Sequence, residues 1–180
     1  MDIKNDNNKI DFYKWVNKKI VEKLRKNHFD NTDFKILVLY DFVSDYFDVM
    51  ENKVRIGINK ITNKKIQMLT KKLQSVINND TFNIIDMRLT LKFIKNDTQL
   101  ELLFKFMNNM LSSGGFIIGF ININEGILQY LKSILVNSTL YVKHTISLNE
   151  YVNQFKKDYP LETQDFSKEN IVIIEKKLKN

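Results

Sequence analysis

The chain has 180 residues, of which 43% are hydrophobic and 12% aromatic, so it can bury one good core and is expected to fold as a single domain. It has no cysteine and only two histidines, which excludes disulfides, thiolate zinc sites and cysteine nucleophiles and argues against a His-rich metal site. Lys and Arg number 28 against 21 Asp and Glu, and the resulting net charge of +7 favours anionic partners such as RNA.

No apolar run reaches the roughly 20 residues that a membrane-spanning helix needs, and residues 1–8 are polar, unlike a signal peptide. We therefore expect a soluble, intracellular, cytoplasmic protein with no membrane partner. The abundance of Lys, Asn, Ile, Phe and Tyr, with one Pro and few Gly, is typical of an AT-rich genome such as that of a virus, a plasmid or an AT-rich microbe.

The first half of the chain reads as a helix followed by two strands and a second helix. Apolar residues recur with a period near 3.6 over Ile10–Lys26, which predicts an amphipathic N-terminal helix. Its apolar positions are Phe12, Trp15, Val16, Ile20 and Leu24. Short apolar runs at Phe34–Leu39 and Val54–Ile58 are typical of strands buried on both faces, and a helix is predicted between Thr62 and Ile77.

The second half alternates strands and helices, which predicts a mostly parallel sheet with right-handed crossovers. Strands are predicted at Phe82–Met87 and Phe116–Ile123, and the helix between them should bury Leu100, Leu103, Phe104, Met107, Met110 and Leu111. The remaining predicted elements are a helix at Glu125–Leu135, a short strand at Thr139–Lys143, a helix at Leu148–Lys157 and a C-terminal edge strand at Ile171–Leu178.

The segment around Ser112-Ser113-Gly114-Gly115 joins the predicted helix to the next strand, and we interpret it as a helix C-cap and tight turn. This order of elements resembles the second half of a class I S-adenosylmethionine (SAM) methyltransferase. More narrowly it resembles the mRNA cap guanine-N7 methyltransferases, in which a helix ending in Leu-x-x-Gly-Gly precedes a strand beginning Phe/Tyr-x-Ile-Gly. The matching residues are Leu111, Gly114, Gly115, Phe116, Ile118 and Gly119. The resemblance implies a Rossmann-like α/β fold, with an N-terminal helix in residues 1–30 and the α/β core in residues 34–180.

Compared with the family that it resembles, this chain has different residues at the positions that bind the cofactor. The family follows its first strand with an Asp-x-Gly-x-Gly-x-Gly loop, where this chain has no glycine and places Tyr40, Phe42 and Ser44. Positive φ at such residues costs roughly 1–2 kcal/mol each. Asn59 stands where the family has an acid for the ribose hydroxyls, and residues 59–81 leave room for a helix but not for the additional strand usual in the family. No cofactor is expected in the standard position.

The cap-binding side is altered as well. Where the family has Gln-Phe-x-x-His-Tyr, this chain has Arg88-Leu89-Thr90-Leu91-Lys92-Phe93, so Lys92 and Phe93 replace the His and Tyr that help to position guanine. Arg88 and Lys92 are either a solvated pair at a strand end or phosphate contacts at the carboxyl edge of the sheet. Lys18 and Lys19 stand in a helix similar to the family's first helix, which carries a ligand-facing lysine, and are otherwise solvated residues. Trp15 is more often core than a base-stacking platform.

Phosphate-binding Gly-rich loops, Gly-x-Ser-x-Gly elbows and His-Glu-x-x-His motifs are absent from the sequence. We favour a non-catalytic, regulatory or stabilising subunit of an mRNA capping or cap-methylation assembly, bound to a catalytic protein partner, with RNA as a further candidate partner and no metal. The first alternative is an active, divergent SAM-dependent cap guanine-N7 methyltransferase, and the second is a basic nucleic-acid-binding α/β module. An exposed apolar patch at the sheet edge or on the N-terminal helix would support the subunit.

Overall fold

The computed structural model describes residues 3–29, 34–40, 53–57, 81–88, 97–122, 125–158, 166 and 168–178. Within these segments the chain forms four helices and six strands. The helices are α1 (Ile3–His28), α2 (Asp97–Met110), α3 (Glu125–Leu135) and α4 (Asn149–Asp158). The strands are β1 (Ile36–Tyr40), β2 (Lys53–Gly57), β3 (Phe82–Arg88), β4 (Leu111–Asn122), β5 (Leu140–Ser147) and β6 (Glu169–Lys176). None of the described helices is long and apolar enough to cross a membrane.

The strands form one mixed sheet in the order β2-β1-β3-β4-β6-β5. Neighbouring strands from β2 to β4 run parallel, whereas β6 runs antiparallel to both β4 and β5. The prediction of a mostly parallel α/β sheet with flanking helices is therefore confirmed.

The predicted edge position of the C-terminal strand is wrong. β6 lies between β4 and β5, and its four central residues Ile171–Ile174 are buried, because both faces of the strand are covered by helices. The edge on this side of the described sheet is β5, which extends to Ser147, beyond the predicted Lys143. A register shift between Val142 and His144 bulges β5 at Lys143, and both the bulge and the lysine disfavour pairing with another chain.

The helices cover the two faces of the sheet and enclose two cores. α2 and α3 pack on one face, onto side chains that include Leu37, Ile85 and Ile117. α1 and α4 pack on the other face, onto their sequence neighbours Val38, Ile84 and Ile118, as the two-residue repeat of a strand requires. Five of the six residues predicted to form the buried face of the helix before β4 lie on α2 and are buried, which confirms that periodicity. The sixth, Leu111, is buried but belongs to β4.

The junction between α2 and β4 differs from the predicted glycine cap. α2 ends at Met110, and the next residue, Leu111, already pairs with Phe82 of β3. The β3–β4 ladder resumes at Phe116, so residues 112–115 form a bulge in β4 instead of a cap, and within it Gly114 has a φ of 73°. The end of the helix is stabilised by Lys176, whose Nζ donates hydrogen bonds to the carbonyl oxygens of Asn108 (2.6 Å) and Leu111 (2.7 Å).

Candidate functional site

The parallel strands end together at one edge of the sheet, which we call the carboxyl edge. Tyr40, the last residue of β1, pairs with Gly57, the last residue of β2. Arg88 is the last residue of β3, the strand that pairs with β1 on its other side. Two of the predicted site positions, Tyr40 and Arg88, therefore lie on neighbouring strand ends, where open α/β sheets bind their ligands.

Five other predicted site residues lie outside the described residues, as does the helix predicted between Thr62 and Ile77. These residues are Phe42, Ser44, Asn59, Lys92 and Phe93. Their contribution to a site stays a prediction.

The bounds of the strands define the connection that follows β1. It comprises residues 41–52 and contains no glycine, since the first glycine of the chain is Gly57 within β2. Glycine is the residue that adopts positive φ without strain and lets a backbone approach a ligand closely. The sequence after Tyr40 therefore offers no glycine for positive φ or for close approach of the backbone to a ligand.

Lys18 and Lys19 lie on the solvent side of α1. Lys18 Nζ is 3.9 Å from Glu22 Oε1, with the two side chains 63% and 50% exposed, so this ion pair stabilises the helix little. Lys19 Nζ lies 5.5 Å from the centroid of the Trp15 ring, within the range of a cation–π contact. The helix meets the sheet through other residues.

Asn17 and Asp86 form a buried polar contact between α1 and the sheet that the sequence analysis missed. Asn17 Nδ2 donates a hydrogen bond of 2.9 Å to Asp86 Oδ2, and both side chains are fully buried. The remaining amide oxygen, Asn17 Oδ1, is buried and accepts no hydrogen bond. The available signal was a polar residue in each apolar pattern: Asn17 lies one turn from the buried Tyr13 and Val21, and Asp86 interrupts the apolar run of β3.

A second polar contact lies one helical turn away. The Tyr13 hydroxyl donates a hydrogen bond to Glu169 Oε2, and the Tyr13 ring packs edge-on against Phe120 at 5.0 Å between centroids. Glu169 begins β6 and pairs with Asn122 at the end of β4, which places this contact at the carboxyl edge. The sequence analysis missed it too, since Tyr13 and Glu169 are 156 residues apart.

Two carboxylates are thus held in buried positions under one helix. Burial of a carboxylate is unfavourable unless hydrogen bonds or opposite charges compensate, so Asp86 and Glu169 are candidates for a functional role as well as for directing how α1 docks. The buried Asn17 Oδ1, which has no hydrogen-bond partner among the described residues, is an acceptor that suits a hydrogen-bond-donating group better than an anion. Among the described residues, no three or more His, Cys, Asp or Glu side chains are grouped so as to hold a metal ion.

Solved structures share this arrangement of strands and helices. The plantazolicin methyltransferase BpumL, solved with a triazolic desmethylPZN analogue and S-adenosylhomocysteine (SAH), aligns with 97% of this chain and 88% of its own, with a TM-score of 0.57 and 10% identity. A SAM-dependent methyltransferase from Clostridium acetobutylicum aligns over 92% of both chains, with a TM-score of 0.53 and 14% identity. The N-methyltransferase NodS from Bradyrhizobium japonicum aligns with 92% of this chain and 97% of its own, with a TM-score of 0.51 and 8% identity.

No protein-family model and no curated protein matches the sequence. At these identities the likeness concerns the fold alone. The chain has the α/β fold of the class I SAM-dependent methyltransferases.

Proposed function

We propose that this chain is a non-catalytic, methyltransferase-fold subunit of an mRNA capping or cap-methylation assembly, which binds and stabilises a catalytic protein partner. The observation that carries the proposal is the connection of residues 41–52, which follows Tyr40 and has no glycine. A methyltransferase that aligns the SAM methionine over the end of β1 needs close backbone approach there. Because methyl transfer depends mainly on alignment of the reactants, a chain without that approach is expected to lack the activity.

The motif that this chain does share with cap methyltransferases supports a structural role for the fold. A Cβ atom on Gly115 would lie 2.9 Å from the carbonyl oxygen of Asn83 and 2.9 Å from Leu111 Cγ, so glycine is required for β4 to approach β3. Gly114 occupies the positive-φ position of the same bulge. The shared glycines thus serve the packing of the sheet, whereas the positions predicted to hold cofactor and cap carry other residue types.

Exposed apolar residues beside the edge strand support a protein partner. Val136 is 73% exposed, Leu178 is 72% exposed and Tyr141 is 38% exposed. Val136 and Tyr141 line a groove of about 280 Å³ with Lys132 and Lys177. These exposed apolar side chains, two of which line one groove, support a protein interaction site here.

Calorimetric titration of the purified chain with SAM and with SAH tests the loss of the cofactor site. We expect no heat of binding at millimolar ligand, while a class I methyltransferase such as BpumL, titrated in parallel, gives a normal isotherm. Micromolar binding would overturn the proposal and favour the first alternative, an active SAM-dependent cap guanine-N7 methyltransferase. Methyl transfer from labelled SAM to capped RNA would then be measured.

Copurification with a catalytic cap methyltransferase encoded by the same genome tests the partner. We expect a complex with the wild-type chain, its loss in the double variant Val136→Asp with Leu178→Asp, and its retention in the control Asn27→Asp with Asn109→Asp, which changes the charge equally at two other exposed positions. Failure of the wild-type chain to form a complex would count against the subunit role.

A further inference from the structure

The outward face of α1 carries a continuous stripe of lysines. Residues three and four apart on a helix lie on the same side, so Trp15, Lys18, Lys19, Glu22, Lys23 and Lys26 share one face. All of these residues except Trp15 are exposed, and Trp15 is partly exposed. Glu22 is the one acid of the stripe.

Helix α4 extends this face and holds the Trp15 ring in place. Phe155, which is buried, meets Trp15 edge-on with 5.4 Å between ring centroids, and Tyr151 meets it at 6.4 Å. The Lys19 ammonium lies over the ring, 5.5 Å from its centroid. Trp15 is therefore supported by two aromatic rings of α4, while the exposed side chain of Lys19 lies over its ring.

The positive charge on this side comes from α1, whose stripe has four lysines and one glutamate. In α4, Glu150 and Asp158 balance Lys156 and Lys157, so this helix adds aromatic support but no net charge. Exposed lysines spaced along α1 beside Trp15 match the repeating phosphates of a nucleic acid strand. A partly exposed aromatic ring flanked by lysines is an arrangement on which proteins stack unpaired bases.

We propose that the face formed by α1 and α4 binds single-stranded nucleic acid, with an unpaired base stacked on Trp15 and the surrounding lysines on the phosphates. The base takes the ring face that Lys19 now covers, and the displaced Lys19 ammonium contacts a neighbouring phosphate. The inference does not depend on the proposed function.

Trp15 is the only tryptophan of the chain, so its fluorescence reports directly on this contact. Labelled single strands of twenty uridines or twenty thymidines, and a duplex of the same length, are titrated with the chain while anisotropy and Trp15 fluorescence are recorded. We expect both single strands to bind with quenching of Trp15, and the duplex to bind more weakly without quenching. If three lysines contact phosphate, log K should fall against log salt with a slope of about −2. The ratio of the two Kd values, for the uridine strand and the thymidine strand, shows whether RNA or DNA is the preferred ligand.

The triple variant Lys18→Gln, Lys19→Gln and Lys23→Gln should raise the Kd about tenfold or more at moderate salt. The matched control Lys105→Gln, Lys132→Gln and Lys177→Gln changes three exposed lysines outside α1 and α4 and should stay within about twofold of the wild type. All six positions are exposed, so both variants are expected to fold. Absence of binding, binding without quenching, equal affinity for the duplex, or an equal loss in the control would each overturn the proposal.

Discussion

Asn17 of α1 and Asp86 of β3 are joined by a hydrogen bond of 2.9 Å in a position where both side chains are fully buried. Replacement of Asn17 by Ala removes one hydrogen-bond donor from the buried Asp86 carboxyl group, and the loss of such a partner costs about 1–3 kcal/mol of folding free energy. We expect this loss in the free energy of unfolding, measured by urea denaturation.

The double variant Asn17→Leu with Asp86→Leu provides the control for this contact. Because it removes the buried charge together with its donor, its destabilisation should be smaller than the sum of the two single Leu variants. A single Asn17→Ala variant as stable as the wild type would show that the hydrogen bond contributes nothing to folding.

Lys176 is expected to stabilise the end of α2. Replacement by Met keeps most of the aliphatic stem but leaves the carbonyl oxygens of Asn108 and Leu111 without the ammonium donor, at a cost of about 1–3 kcal/mol. The neighbouring Lys177→Met variant changes an exposed side chain and should alter stability by less than about 0.5 kcal/mol. Equal unfolding midpoints for the two variants in urea would contradict this role.

The two glycines of the β4 bulge should respond differently to Ala. At Gly114 the substitution costs about 1–2 kcal/mol for positive φ, and the Cβ would meet only the end of the exposed Leu178 side chain, which can move. At Gly115 the Cβ would lie 2.9 Å from the Asn83 carbonyl oxygen, a backbone atom held in the sheet. We therefore expect Gly115→Ala to be the more destabilising in thermal unfolding, and the opposite order would contradict the geometry of the bulge.

The Tyr141 hydroxyl should lose its proton at a higher pH than an ordinary tyrosine. Its hydroxyl donates a hydrogen bond to Glu175, and this bond, with burial and the Glu175 charge, raises the pKa of Tyr141 from 10.0 to about 12. Because the folded pKa lies above the unfolded value, the stabilisation is complete below pH 10 and is lost as the pH rises through about 12. The ultraviolet titration of the wild type minus that of Tyr141→Phe should show one phenol ionising near the raised value. A midpoint near 10 in that difference would mean that the bond is absent in solution.

Glu175 should contribute to folding stability at neutral pH and lose this contribution in acid. Burial alone would raise the pKa of Glu175, but hydrogen bonds from Tyr141 and Lys143 and the positive charges of Lys143 and His28 lower it from 4.5 overall. Its stabilisation is therefore present above pH 4.5 and is lost as the pH falls through the lowered folded value. Glu175→Gln should be less stable than the wild type at neutral pH, and the two unfolding curves should converge in strong acid. A difference that persists in acid would assign the effect to packing.

Local patterns in the sequence predict the elements well where a single face is buried. The 3.6-residue repeat of α2 identifies five of its buried positions but not Phe106, and α3 begins and ends at the predicted Glu125 and Leu135. The position of β6 depends on which strands pair, which no local pattern encodes. Its unbroken apolar run was nevertheless a sign of burial on both faces, and therefore of an inner strand.

Local sequence patterns could not predict the polar contacts either, because their partners are far apart along the chain. Asn17 and Asp86 are 69 residues apart, and the Lys176 ammonium caps a helix that ends more than 60 residues earlier in the chain. Such pairs form only once the sheet has assembled. The sequence could show that Asn17 and Asp86 were polar residues at buried positions, but not that each is the partner of the other.

The place of β6 in the sheet also bears on how the protein is made in the cell. It is the last of the described strands to leave the ribosome, yet it fills the gap between β4 and β5. Until Glu169 and the residues after it emerge, β4 has an unpaired edge beside its apolar side chains, and β5 has no described neighbour on the sheet side. A nascent chain interrupted at that stage is open to aggregation, so we expect synthesis of this protein to benefit from chaperones that shield exposed strands.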